Sequence, residues 1–401
     1  MLTATETDAL APLADRGAAM LARVEAWSAV NSGSDNLPGL ARVGELLGEA
    51  FAPLGGELAL IEGTASQTVR ADGTTADARY GRHLRQVMRP HAPVQVLLTG
   101  HMDTVYGADH AFQACRFAGP GRLNGPGVAD MKGGIAVMLA ALRAFEATPG
   151  AERLGWTVLI VGDEEVGSPS SRALLQKAAR GAQWGLTYEP SSLPDGTLAG
   201  ARWGSGNFSA VIEGRAAHAG RDPENGRNAL LAAADLALRL EALVGADLRV
   251  NPAKIDGGGP NNVVPAQAVL RFNVRPRTLA AQAAAEAAIG EAMGAVSATR
   301  EVAIALHGGF GRPPKPLDDN QRRLFDIVGV AARDLGQHYA TRDTGGVCDG
   351  NNLAAEGLPV VDTLGVRGGS IHSPGEYLLV DSLVERARLS TLLLHRLAAR
   401  P

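Results

Sequence analysis

At 401 residues, with 45% hydrophobic and 20% charged positions, the chain has the composition of a folded globular protein and the length for two or three domains. A formal net charge of −4 gives no support to a nucleic-acid or anionic-membrane partner, and no window approaches the ~20 apolar residues of a membrane span. The two cysteines, Cys115 and Cys348, exclude a disulfide framework, and the acidic, discontinuous N-terminus lacks a signal-peptide pattern, so a soluble cytoplasmic protein with reduced thiols is expected.

Helices are expected over residues 5–30 and 37–54, the second opened by Ser34, Asp35 and Asn36 with Pro38 near its first turn. An apolar strand from Val94 to Thr99 runs into Gly100-His101-Met102-Asp103. Residues 131–147 read as a helix, Trp156 to Val161 as a strand ending at Gly162, and 185–188 as a shorter strand before Glu189. Near-continuous apolar strands between helices indicate a largely parallel sheet covered on both faces.

The pattern changes near Arg202. Residues 205–213 alternate as a strand, 226–244 form a periodic helix, and strands follow at 247–255 and 266–275. The last of these carries Ala268, Leu270, Phe272 and Val274 on one face and Arg271, Asn273 and Arg275 on the other. A helix at 279–294 and a strand at 300–306 complete a ferredoxin-like βαββαβ order. After Gly308-Gly309 and the proline-rich 312–316 segment, a helix at 319–335, a buried strand at 358–362 and a helix at 383–399 return to the first pattern, with Ser382 and Glu385 spaced as a capping box. The fold class expected is α/β. A mixed, largely parallel sheet domain (1–202 and 309–401) is interrupted by a ferredoxin-like unit at 203–308.

Five segments place acidic and histidine side chains at strand ends or in glycine-rich turns: Gly100-His101-Met102-Asp103-Thr104, Gly127 to Gly134 around Asp130, Gly162-Asp163-Glu164-Glu165-Val166-Gly167, Tyr188-Glu189-Pro190-Ser191 and Ser370-Ile371-His372-Ser373-Pro374. Taken singly each has an ordinary explanation. His101 and Asp103 share a face of an extended chain, Glu164-Glu165 suits a solvated turn, and Asp130 could cap the helix beginning at Met131. Converging at the carboxyl ends of parallel strands, they would be mutually repulsive anions without a cation. Imidazole and carboxylate are ligands that zinc, cobalt or manganese accept.

In this order the five segments resemble the M20 family of metallopeptidases and amidohydrolases, most nearly its glutamate carboxypeptidase-like branch, and the resemblance spans nearly the whole chain. It implies a di-metal site with two divalent ions per chain, zinc first, with cobalt or manganese as alternatives. Asp130 would bridge both metals, His101 and Glu189 would complete one, and Glu165 and His372 the other. Glu164 matches the general base and Asp103 the carboxylate that orients His101. Such a site activates a bridging hydroxide and stabilises the oxyanion of the tetrahedral intermediate, while Glu164 carries the proton to the leaving amine. The resemblance also implies a cis peptide at Asp130–Met131.

The resemblance makes residues 203–308 a lid and dimerisation domain. Within Gly214-Arg215-Ala216-Ala217-His218-Ala219-Gly220, His218 matches the histidine that reaches across a homodimer interface to the partner's site. Asn262 and Arg275 match the positions that hold the substrate's free carboxylate, work that suits an arginine fork. Asp349 matches a glycine-rich loop near the site, where Cys348 is given no catalytic role. The function implied is hydrolysis of an amide beside a free carboxylate in a small amide or peptide, as a carboxypeptidase of the acyl-glutamate type. An N-acyl amino acid deacylase and a catalytically inactive metal-binding scaffold are the alternatives. A nucleotide site is disfavoured, since no GxxxxGK[ST] occurs and Gly125-Pro-Gly127-Val-Ala-Asp130 does not fit GxGxxG after a strand.

Overall fold

The computed structural model describes residues 1–400. Its central sheet has six strands in the order Glu57–Ile61, His83–Met88, Leu154–Val161, Val94–His101, Trp184–Thr187 and Val360–Val361. The last four are mutually parallel, and the first two join antiparallel at the edge. Apolar residues run continuously along the middle strands because both faces are covered. Val96, Leu98, Trp156, Val158 and Ile160 enter the larger core with helices Gly17–Ser28, Leu37–Phe51, Gly133–Glu146 and Asp381–Ala398. Leu97, Leu159 and Val161 point the other way, against Leu175 and Leu353 of the helices Arg172–Arg180 and Asp349–Ala354. Fold class therefore follows the reading from sequence: mixed α/β with a largely parallel sheet.

A second, fully antiparallel sheet takes the order Leu248–Gly257, Gln267–Pro276, Ser205–Glu213, Ala303–Arg312. One face buries Ala210, Ile212, Leu270, Phe272 and Val274 against the helices Ala229–Glu241 and Leu279–Arg300. The Phe208 and Phe272 rings stack there with centroids 5.1 Å apart. The opposite face carries no helix and bears Asn207, Ser209, Arg271, Asn273 and Arg275. A hairpin, Ser66–Val69 and Thr75–Ala78, crosses onto this face, where Val69 packs with Val211 and Val269 and its carbonyl accepts from Arg271 Nη2 at 3.0 Å.

Several expectations change. The stretch 5–30 is two helices, Ala4–Leu10 and Gly17–Ser28, separated by a 3₁₀ turn at Ala11–Leu13 that contains Pro12. Proline has no N–H to give the helix and its ring crowds the preceding turn. The capping box at Ser382 does not form. The last helix starts at Asp381, and the Ser382 hydroxyl donates to the Leu379 carbonyl while accepting from Arg367 N. The second helix on the antiparallel sheet continues to Arg300, so the strand after it begins at Ala303 and runs to Arg312. Residues 55–93, where the pattern predicts no element, supply two strands of the main sheet and the hairpin.

Candidate metal centre

Three neighbouring parallel strands deliver the site at their carboxyl ends. His101 ends Val94–His101, Asp163-Glu164-Glu165 follow Leu154–Val161, and Glu189 lies just past Trp184–Thr187. Asp130 comes from the tight turn Val128–Lys132, where it has non-helical backbone angles (φ −114°, ψ 89°) and does not cap the helix that follows; its peptide to Met131 is cis. Gly134, at the start of that helix, lies so close to the Tyr188 carbonyl that any Cβ there would collide with it. Glycine thus brings the Asp130 turn against the Glu189 strand. His372 arrives on a loop in which both Ser370 (φ 54°) and His372 (φ 59°) adopt the left-handed region, unusual for side-chain-bearing residues and concentrated at functional sites.

The five side chains meet around Asp130. Its Oδ1 is 3.0 Å from His101 Nε2, which is 3.7 Å from Glu189 Oε2. Its Oδ2 is 3.2 Å from His372 Nε2, which is also 3.2 Å from Glu165 Oε2. Each carboxylate oxygen of Asp130 thus faces a different histidine–glutamate pair. Donor atoms of His101, Asp130 and Glu165 all lie within 4.8 Å of one another, close enough to share an ion. All but His372 are deeply buried side chains; His372 is half exposed.

The electrostatics are those of a cation site. Burial pushes the carboxyl of Glu165 up, with the Asp130 charge adding to it, and raises Glu189 to about 7. Hydrogen bonds to Asp130 and Glu165 push His372 up to about 11. Burial opposes protonation of His101, yet the charge of Glu189 and the contacts to Asp103 and Asp130 raise it well above its ordinary value. Asp130 is buried too, but its contacts with both histidines hold its carboxyl well below the usual range. Two glutamates driven towards neutrality, an aspartate kept charged and two imidazoles driven towards positive charge mark a pocket that favours cations. Nitrogen and oxygen donors in this number fit divalent ions of the zinc, cobalt or manganese kind.

The supporting contacts differ in detail from expectation. The nearest partner of His101 Nδ1 is the backbone oxygen of Asp103, at 3.0 Å, with the Asp103 carboxylate at 3.4 Å. That carboxylate instead accepts from Glu164 N (3.1 Å), Glu165 N (3.0 Å) and the Ser34 hydroxyl (2.8 Å), so it fixes the loop carrying both glutamates. Glu164 is buried and points at Arg312, whose Nη2 lies 2.7 Å from Glu164 Oε1 and 2.8 Å from the Glu164 carbonyl. Arg312 also meets Asp349 at 3.3 Å, and Asp349 bonds the Ser168 hydroxyl. Glu376 accepts from the N–H groups of Gly127, Ala129 and Asp130 and from the Tyr106 hydroxyl, locking the Asp130 turn.

A cavity of about 800 Å³ opens from these groups and is roofed by the second sheet. Arg275 lines it, held by Asn273 Oδ1 and the Gly345 carbonyl, each at 3.0 Å. Cys348 lines it as well, but burial pushes its thiol up and its sulfur accepts from Gly350 N, which suits packing rather than nucleophilic chemistry. His218 and Asn262 do not join the cavity. They sit on two exposed loops that pair with each other, Ala219 N donating to the Asn262 carbonyl. Arg312, Arg202, Ser168 and Glu376 escaped the sequence reading. Arg312 stands in a Gly-Arg-Pro-Pro stretch that reads as a connector, and Glu376 in a Gly-Glu-Tyr stretch without periodicity.

The model of Peptidase family M20/M25/M40 matches residues 97–396. Carboxypeptidase G2 from a Pseudomonas species is 29% identical over 390 residues, covering 96% of this chain and 91% of that protein. Succinyl-diaminopimelate desuccinylase from Rhodospirillum centenum is 31% identical over 319 residues, 74% of this chain and 80% of its own. Among solved structures, a tripeptidase from Staphylococcus aureus superposes with a TM-score of 0.73 at 22% identity, covering 96% of this chain and 99% of that one. An M20 family metallo-carboxypeptidase, Sso-CP2 from Sulfolobus solfataricus, does so with a TM-score of 0.71 at 14% identity, covering 95% and 99%.

Proposed function

The chain belongs to peptidase family M20/M25/M40 and is a hydrolase of that family, and on that premise we propose that it cleaves an amide bond beside a free carboxylate, as a dinuclear metallocarboxypeptidase of the acyl-glutamate type. The observation that carries the reading is Asp130, whose two oxygens face separate histidine–glutamate pairs with Glu164 alongside. His101, Asp130 and Glu189 would hold one divalent ion and Asp130, Glu165 and His372 the other. When bound, two such ions would supply Lewis-acid polarisation of the amide carbonyl and a lowered pKa for water. Glu164 takes the proton of the attacking water and returns it to the leaving nitrogen. Asp103 holds the Glu164-Glu165 loop through two backbone N–H groups. Arg275 receives the substrate carboxylate together with Asn262 of the partner subunit, and His218 of the partner subunit donates to the oxyanion. Zinc is the preferred metal, the assembly a homodimer, and the compartment the cytoplasm. Residues 1–202 with 309–401 form the catalytic domain and 203–308 the lid.

Likeness to the desuccinylase supports a second reading in the same site, an N-acyl amino acid deacylase. A panel of acyl-glutamates, C-terminal dipeptides and N-acetyl amino acids, assayed with the metal-loaded enzyme before and after EDTA, separates the two. Turnover that survives chelation would exclude both. Stoichiometric zinc with no turnover of any carboxylate-bearing amide would leave only a non-catalytic scaffold.

A further inference from the structure

A second cavity, of about 670 Å³, adjoins the metal cavity and shares Ser205, Asn207, Asn273 and Arg312 with it. Its walls are the start of helix Arg172–Arg180, the hairpin strand Ser66–Val69 and the helix-free face of the second sheet. That face leads from one cavity into the other. Along a single strand, Arg275 lines the metal cavity, Asn273 lines both, and Arg271 lines the second.

Among the described residues no carboxylate lines this second cavity, and its charged side chains are Arg172, Arg271 and Arg312. Two of them are already neutralised. Arg271 pairs with Asp256 at 3.3 Å, and Arg312 with Glu164 and Asp349. Arg172 is not. Its Nε is buried without a hydrogen-bond partner, and Asp349 and Asp163 act on it only at longer range. A buried donor left without a partner costs about 1–3 kcal/mol. Arg172 Nη2 occupies the space that a Cβ at Gly311 would fill.

We propose that this cavity is an accessory subsite in which Arg172 receives a second carboxylate of the substrate while the amide lies at the metal cluster. The inference rests on the amide-hydrolase reading above. An arginine fork in a carboxylate-free cavity is selective for a carboxylate over a neutral end, since the ionic hydrogen bonds have no internal competitor. The second carboxylate belongs either to the acyl chain or to the side chain of the amino acid.

The test compares three substrates of the metal-loaded enzyme: N-succinyl-L-leucine, N-acetyl-L-glutamate and N-acetyl-L-leucine. The native protein should prefer one carboxylate-bearing substrate over N-acetyl-L-leucine in kcat/KM. Arg172→Gln should shrink that preference roughly tenfold or more, through KM, and Arg172→Lys should restore part of it. The arm that shrinks identifies the source of the carboxylate. Identical preferences in native protein and Arg172→Gln overturn the proposal. Calorimetric binding of glutarate and butyrate to the same proteins needs no turnover. Glutarate selection that depends on Arg172 supports the subsite even if no amide is cleaved, whereas equal glutarate affinity in both proteins overturns it.

Discussion

Arg312 Nη2 stands 2.7 Å from Glu164 Oε1, so the last residue of the second sheet is ion-paired to the carboxylate beside the candidate metal ligands. Both side chains are 8% exposed, and burial alone pushes the Glu164 carboxyl well above its ordinary value, while Arg312 pulls the other way. Removing one partner of a buried pair strands the other charge, at a cost of about 3–5 kcal/mol. Arg312→Gln should therefore lower kcat/KM by at least about a hundredfold, the scale of a lost general base. Unchanged kcat/KM on the preferred substrate would show that Glu164 needs no such partner. Chemical denaturation of the same variant separates misplacement of Glu164 from loss of the fold.

Glu376 sits behind the candidate metal ligands. One of its oxygens accepts from Ala129 N and Asp130 N, both at 3.0 Å, and the other from Gly127 N and the Tyr106 hydroxyl. In Glu376→Gln an amide NH₂ replaces one acceptor and faces donors. The Asp130 turn then loosens, and metal affinity should fall about 10–100-fold, as when other groups that orient ligands are lost. Equilibrium dialysis against buffered zinc, read by elemental analysis, checks this without an activity assay. Full metal retention at the native free-zinc level would refute it.

A buried triad beneath the cavity sets an acid limit on stability. Asp362 accepts from Arg202 Nε at 2.7 Å and Lys315 Nζ at 2.9 Å, and the Asp362 and Lys315 side chains are fully buried. Burial raises the Asp362 carboxyl, but the two cations outweigh it and hold it below its ordinary value of 3.8. Its folded pKa is depressed, so its stabilisation is fully present above the unfolded value and is lost as pH falls through the folded one. Asp362→Ala should destabilise by about 3–5 kcal/mol at pH 7, with two cations left unpaired. The gap between variant and native protein should narrow as pH drops below about 4. Urea unfolding at several pH values measures it, and a gap that widens in acid would contradict the assignment.

How much of this was legible in the sequence depended on how local each signal is. His101, Glu165 and Glu189 follow apolar strands buried on both faces, such as Val94–His101, whose unbroken hydrophobic runs announce a parallel sheet and its strand ends. The antiparallel strand His83–Met88 mixes His, Arg and Gln with apolar residues, so no clean period marks it. Arg312 meets Glu164 across 148 positions, and Glu376 meets Asp130 across 246. No local pattern encodes such pairs; they exist only once the two sheets are assembled. Arg172 likewise reads as an ordinary polar helix residue until the cavity beside it is seen to lack a carboxylate.

His218 and Asn262 lie on two adjoining exposed loops and do not line their own chain's candidate metal cavity. If they serve catalysis, they must do so in another subunit's site, and that makes a prediction a single chain cannot satisfy. Glu164→Gln and His218→Ala should each be strongly impaired alone. When the two proteins are mixed and allowed to exchange subunits, each heterodimer gains one site with an intact Glu164 and an intact His218 from the other chain. Activity should rise above the sum of the parents as exchange proceeds. Native mass spectrometry follows the exchange independently. Heterodimers that form without regained turnover, or a native protein that is fully active as a monomer by sedimentation, would place the role of His218 within its own chain or remove it.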